Sequence, residues 1–368
     1  MDVKPKIELL APAKNIDYGK VAIQCGADAV YIGGPDFGAR KDAFNSLQEI
    51  AELIKFAHFY HARVYVALNT ILSDHEIIKA KRFIEFFYEH NVDAIIIQDL
   101  GLLELDLPPV PLHASTQMHN VSIEKIQFLE KVGFQRVILP RELSLLEIEA
   151  LKNNTSIELE AFIHGALCVS YSGQCYMSYA IGSRSANKGA CAQPCRKKYS
   201  LKDLTGHYLC KNKYLLSLKD LNLSQYIDKL LKAGITSFKI EGRLKDINYL
   251  KNIVSFYRQQ IDRHLPQYGL EKSSIGHVQI NFIPNPHKTF NRGFTTYFIE
   301  GKENDISSLD TPKSIGEKLG RITKITKNYF EISPKINISQ GDGLCFFDKN
   351  KTLCGTNVNK VSEHKIYP

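Results

Sequence analysis

Eight short apolar runs recur along the first 250 residues. They are IELLAPA (7–13), AVYIGG (29–34), VYVALNT (64–70), AIIIQD (94–99), LHASTQ (112–117), VILPRE (137–142), LEAFIHG (159–165) and FKIEGR (238–243). Most are rich in Val, Ile and Ala without polar alternation, the pattern of strands buried on both faces. Amphipathic stretches lie between most of them. Leu47, Ile50, Leu53, Ile54 and Ala57 fall on one helical face, and so do Tyr226, Ile227, Leu230 and Leu231 behind a Ser224 cap. Ser144 followed by Glu147 reads as a capping box, and Leu250, Ile253, Val254 and Tyr257 mark a helix after the eighth run. The link LGLLELDLPPV is too short for a full helix, so one unit is irregular.

Eight βα units predict an α/β fold, a (β/α)8 TIM-like barrel. An open dinucleotide-binding sheet would carry G-x-G-x-x-G after its first strand, whereas this chain has APAKN. Beyond about residue 265 the texture changes. HVQINFIP (277–284), FEISPKINI (330–338) and GDGLCFF (341–347) read as antiparallel strands between Asn, Gly and Pro. The expected division is a barrel over 1–265 with a Cys-rich insertion at 165–215 after strand 7, a β-rich connection over 266–314 and a small C-terminal β-barrel module over 315–368. A length of 368 residues suits a barrel of ~250 residues with a small appended domain.

Composition changes this picture little. Apolar residues make up 44% and charged residues 23%, which argues against disorder and fibrous architectures. The net charge of +8 gives weak support to an anionic partner such as RNA. No run of ~18 apolar residues predicts a membrane span, and the N-terminal stretch lacks a signal-peptide pattern. A cytoplasmic chain is expected, whose eight cysteines are thiols or metal ligands rather than disulfides.

Four of those cysteines stand together. Cys168, Cys175, Cys191 and Cys195 fall within 28 residues of a Gly-rich insertion between the seventh and eighth strands. Four thiolates from one irregular loop are what a 4Fe–4S cluster needs. Zinc also takes four thiolates, although structural zinc favours two tight Cys pairs and the first pair here is wide. Four metal-free buried thiols are the third reading. Cys25, Cys210, Cys345 and Cys354 are scattered and read as small apolar fillers.

The catalytic face of such a barrel lies at the C-terminal ends of its strands. The insertion follows the end of the seventh strand, so a cluster there would roof the mouth. The same rule nominates Asn69, Asp99, Gln117, Arg141 and Arg243 for substrate binding and His164 and Glu241 for catalysis. Gln98 and Glu142 also fall at strand ends. His164, four residues before Cys168, suits proton transfer, and the two arginines can fork onto a carboxylate or phosphate. Structural hydrogen bonds and ion pairs are the alternative role for each of these residues.

The segment ELEAFIHGALCVSYSGQCYMS (158–178) resembles the signature of the collagenase-like, U-32 peptidase family. The opening 8–40, KIEGRLKDINYL (239–250) and NRGFTTYF (291–298) resemble further blocks of that family. The resemblance implies either of two activities. Some members are recorded as collagen-degrading proteases. Others are oxygen-independent hydroxylases that carry a 4Fe–4S cluster and act on the tRNA wobble uridine, a ribosomal RNA cytidine or a ubiquinone precursor, with prephenate as the oxygen donor. It also implies that Cys168, Cys175, Cys191 and Cys195 are the cluster ligands. The expected function is iron–sulfur hydroxylation of an RNA base, with tRNA wobble uridine first, and a tRNA or rRNA partner together with a small-molecule oxygen donor. The alternative is a cytosolic peptidase. Against that alternative, the chain has no G-x-S-x-G elbow and no H-E-x-x-H helix. Basic residues beside the cysteines, Arg196, Lys197, Lys198, Lys211 and Lys213, suit RNA phosphates or a solvated face.

Overall fold

The computed structural model describes residues 6–39, 45–333 and 337–368. All eight apolar runs are parallel strands. They are β1 (Lys6–Ala13), β2 (Ala29–Gly33), β3 (Arg63–Leu68), β4 (Ala94–Ile97), β5 (Leu112–Ala114), β6 (Arg136–Ile138), β7 (Glu158–Ala166) and, after the insertion, β11 (Ser237–Ile240). Each pairs with the next, β11 pairs with both β7 and β1, and the ring closes. This is the TIM-like barrel the sequence predicts. Helices α1 (Ile16–Gln24), α2 (Leu47–Phe59), α3 (Asp74–Glu89), α4 (Ile123–Lys131), α5 (Leu145–Asn153), α7 (Ile227–Lys232) and α8 (Ile247–His264) connect the strands. The capping box of Ser144 and Glu147 starts α5, and equivalent boxes start α2 and α3. Ser224 does not cap α7. It opens a short 3-10 turn and its own N–H is taken by Asn222 Oδ1 at 3.0 Å. The link after β4 is a single 3-10 turn over Leu100–Glu104.

The interior of the barrel is not wholly apolar. Arg136 on β6 donates through Nη1 to Glu8 Oε1 at 2.6 Å and to Glu160 Oε2 at 3.2 Å. Lys239 on β11 donates to Glu160 Oε1 at 2.6 Å, and Ser237 Oγ donates to Glu8 Oε1 at 2.8 Å. Tyr65 also donates to Glu8. All six side chains are buried. Burial alone would raise the Glu8 carboxyl, but the Arg136 charge and the hydrogen bonds from Arg136, Tyr65 and Ser237 outweigh it and hold the pKa low. Burial, helped by Arg136, Lys239 and Arg63, pushes the His113 imidazole far down, so it is neutral at pH 7.

The chain divides into two compact units. The first runs through Pro194 and takes in Asp220–Pro286 and Phe294–Ile306. Besides the barrel it holds β10 (Asp220–Asn222), antiparallel to β7, β12 (Glu271–Lys272), parallel to β1, and β13 (Phe294–Thr295), parallel to β10. The second unit comprises Cys195–Lys219, His287–Gly293 and Ser307–Pro368. It contains an antiparallel hairpin of β8 (Tyr199–Lys202) and β9 (Tyr208–Lys213). Strands β14 (Arg321–Ile325), β15 (Phe330–Ser333), β18 (Lys360–Ser362) and β19 (Lys365–Tyr367) form one sheet, and β16 (Gly343–Phe347) pairs with β17 (Leu353–Asn357). The stretch HVQINFIP is not a strand. Its alternation has no partner ladder to join, and strand pairing rather than propensity makes a sheet. GDGLCFF becomes β16, the FEIS of FEISPKINI becomes β15, and residues 334–336 of that same stretch lie outside the described set.

Candidate metal centre at the barrel mouth

Cys168 follows β7 by two residues, and Cys175 and Cys191 lie on the loops flanking the short helix α6 (Met177–Gly182). The Cys168 thiol is held above its ordinary pKa, first by dense protein surroundings and then by the neighbouring Cys175 and Cys191, while Arg141 pulls it down. The residue nevertheless keeps open surface. Cys175 and Cys191 therefore both sit close enough to act on the Cys168 thiol. Cys195 lies four residues past Cys191 in the chain and opens the second unit. Among the described residues, no three His, Cys, Asp or Glu side chains converge tightly enough to hold a single metal ion. A tetrahedral zinc draws its sulfurs to about 2.3 Å from one point. A cubane binds each sulfur to a different iron and leaves the sulfurs farther apart. The all-thiol donor set is one that either group takes.

The cysteine loop is fastened to the barrel rim. Ser172 N–H donates to Glu142 Oε1 at 2.8 Å, and the Tyr171 ring lies 5.3 Å from the His119 ring. Gly173, at φ +73°, presses on the backbone of Gln117; a Cβ there would stand 1.8 Å from the Gln117 carbonyl oxygen. Only a residue without a side chain fits that contact. Farther along, Ala192 N–H donates to Ser178 Oγ at 2.9 Å, and Lys188 pairs with Glu76 at 3.0 Å. Hydrogen bonds from Ser73 and Lys188 hold the Glu76 carboxyl down to about 2.

Around the mouth the strand-end residues divide by role. Arg141 Nη2 donates to Glu241 Oε2 at 3.1 Å, and its guanidinium lies 3.6 Å from the centre of the Phe162 ring. Burial, then Glu142, Cys168 and Tyr171, push the Tyr297 phenol up to about 12, which brings Tyr297 into the same neighbourhood. Asn69 and Asp99 do structural work. Asn69 Oδ1 accepts from Ala39 N–H and its Nδ2 donates to Ser115, while Asp99 accepts from Leu72 N–H and Gly101 N–H. Gln117 carries the Gly173 contact on its backbone and accepts from Gln98 Nε2 at 3.2 Å. Arg243 is 5% exposed. His164 is 1% exposed and packs among Tyr249, Tyr257 and Phe294, with Nδ1 3.2 Å from Tyr257 Oη. It is not open to the mouth. Three buried polar atoms on consecutive rim segments have no hydrogen-bond partner: Gln98 Oε1, His119 Nδ1 and Arg141 Nε. Such atoms mark where a polar molecule would complete the site.

Sequence reasoning passed over His119, Tyr171 and Tyr297. His119 stands at φ +55°, just past the fifth strand. The rule that points to strand ends reaches it only when extended by a few residues. Of the scattered cysteines, Cys25 is buried as expected of a filler. Cys345 is exposed on β16, because that strand lies on open surface.

The model described as Peptidase family U32 matches residues 14–308. The chain is 46% identical to the 23S rRNA 5-hydroxycytidine C2501 synthase of Escherichia coli over 99% of its own length and 56% of that protein's. It therefore spans little more than half of that relative. It is 37% identical to the tRNA hydroxylation protein P1 of Bacillus subtilis, covering 94% of this chain and 84% of the other. A collagenase of Porphyromonas gingivalis is 29% identical, over 93% and 81% respectively.

Proposed function

The chain belongs to peptidase family U32, and from that premise we propose that it is an iron–sulfur enzyme that hydroxylates a pyrimidine base of RNA. The observation that carries this reading is the Cys168 thiol with Cys175, Cys191 and Arg141 all close enough to act on it. Of the three relatives above 35% identity, two are named for RNA hydroxylation and support RNA as the substrate, while the third is named an uncharacterized protease; the higher identity favours a ribosomal cytidine over the tRNA uridine.

Cys168, Cys175, Cys191 and Cys195 would hold a 4Fe–4S cluster, which supplies electron transfer or a Lewis-acidic iron when bound. Replacing a pyrimidine C–H by C–OH is a two-electron oxidation that needs an oxygen source. A small carboxylic acid of the prephenate type suits the mouth, because Arg141 offers a planar fork that can grip a carboxylate. Glu241 orients that fork, and the Phe162 ring beneath fixes its plane. Gln98 Oε1 and Arg141 Nε, which make no hydrogen bond, supply an acceptor and a guanidinium nitrogen, and His119 Nδ1, 3.9 Å from Glu142 Oε1, lies on the rim segment between them. Glu241, at the end of β11, is the group placed to accept a proton from the base once a ligand draws Arg141 away.

Nucleoside mass spectrometry of RNA from a strain lacking the chain tests the reading. Complementation with the natural chain should restore one hydroxylated pyrimidine, and complementation with Cys191→Ser should not. Anaerobically purified protein should carry about four irons and four sulfides per chain. Unchanged RNA in the deletion strain would reject the reading.

A further inference from the structure

We propose that the β8–β9 hairpin is the docking surface for an unpaired stretch of RNA, with Tyr208 stacking on a base and Lys202 and Lys211 taking the adjacent phosphates. This rests on the RNA-hydroxylase reading and says where the substrate is gripped.

The charge of the chain is concentrated here. Residues 195–215 hold six of its Lys and Arg side chains and a single acid, Asp203, whereas the whole chain carries a net +8. Two of the six are occupied. Arg196 donates to Ser217 Oγ at 2.8 Å, and Lys213 pairs with Asp310. Lys197, Lys198, Lys202 and Lys211 are exposed. Asp203 does not neutralise them, because its Oδ1 is taken up within its own turn by Thr205 N–H, the Thr205 hydroxyl and His207 N–H.

The aromatic partner is in place. Lys202 pairs directly with Tyr208 across the ladder, and its Nζ lies 4.5 Å from the Tyr208 ring centre. Lys211 Nζ lies 4.3 Å from the same centre. The ring is 50% exposed. Lysine stems are long and flexible enough to swing from the ring to a phosphate. An exposed ring with two cations close by is an arrangement that binds single strands, since every base offers a face to stack and the backbone offers the charges. A duplex hides its base faces and could use only the lysines. The hairpin also follows the last of the four cysteines in the chain. Tyr199 follows Cys195 by four residues, so their Cα atoms are within about 14 Å.

Fluorescence anisotropy with the full chain and a fluorescein-labelled 15-mer RNA of mixed sequence tests the proposal. Tyr208→Ala should weaken binding about tenfold and Tyr208→Trp should not. The pair Lys202→Glu with Lys211→Glu should weaken it further and lower the slope of log K against log salt by about 1.4. The pair Lys349→Glu with Lys351→Glu makes the same charge change elsewhere in the second unit and should leave the Tyr208 dependence intact. Annealing the complementary strand to the probe should abolish the difference between Tyr208 and its alanine variant. Tight binding by both hairpin variants, or no binding by the natural chain, overturns the proposal. Nucleoside mass spectrometry on cells carrying the same variants keeps the two ideas apart: normal hydroxylation with an altered hairpin rejects the docking surface and leaves the enzyme reading standing.

Discussion

The carbonyl oxygen of Gln117 occupies the space that a side chain on Gly173 would need, with 1.8 Å between that oxygen and an ideal Cβ. The loop carrying Cys168 and Cys175 therefore lies flush on the rim because residue 173 has nothing to project. Gly173→Ala must lift the loop, since neither the Gln117 backbone nor a positive φ of 73° accommodates the methyl group. Bound iron per chain should fall several-fold in anaerobic preparations. The melting temperature of the barrel should change by only a few degrees, because the loop adds little to the core. Full iron content in this variant would show that the loop is not seated through this contact.

Arg141 is held by two different interactions, a hydrogen bond to Glu241 and the face of Phe162. Arg141→Lys keeps the charge but loses the fork and the stacking. RNA hydroxylation measured by nucleoside mass spectrometry should fall about tenfold or more, with thermal stability close to that of the natural chain. Arg141→Met should be no more active than the lysine variant.

Arg136 ties the buried Glu8 and Glu160 together in the barrel interior and also reaches the exposed Glu158. Arg136→Leu would leave the Glu8 and Glu160 carboxylates buried without that cation. Urea denaturation should report a loss of about 3–5 kcal/mol. Exchanging Arg136, Glu8 and Glu160 together for apolar residues of similar size should cost less than the single change.

The lowered pKa of Glu8 sets an acid limit. Its folded carboxyl lies below the ordinary 4.5. Its contribution to stability is complete above that value and is lost as pH falls through the folded pKa. Urea midpoints should thus drop progressively below about pH 4.5. Glu8→Gln should give a flatter acid limb, and an unchanged limb would mean that other carboxylates dominate.

Much of the framework was legible because buried parallel strands write themselves as continuous Val, Ile and Ala runs. All eight runs became barrel strands, and Ser144 with Glu147 formed its box. The interior charges were harder to see. Glu8, Arg136, Glu160 and Lys239 sit within or beside those runs and look like strand-edge residues; only closure of the ring turns them inward to one another. The same closure explains the mouth. Strand ends nominated Arg141 and Glu241, which meet, and also Asn69 and Asp99, which serve as loop ties, and sequence position does not distinguish the two groups. Its position four residues before Cys168 predicts a rim place for His164. A register shift between β7 and β11 lies beside it, and it packs against Tyr249 and Tyr257 of α8. No apolar pattern announces such a shift.

The charged filling of the barrel also governs traffic. With Glu8, Tyr65, Arg136, Glu160 and Lys239 bonded across the interior, nothing can thread the ring from below. On the proposed reading, a small molecule that reaches Arg141 and an RNA that lies over the mouth share one approach, so the small one would be loaded first and its remnant would depart last. Steady-state kinetics would register this as compulsory-order binding, with the polymer at high concentration inhibiting by trapping the empty site.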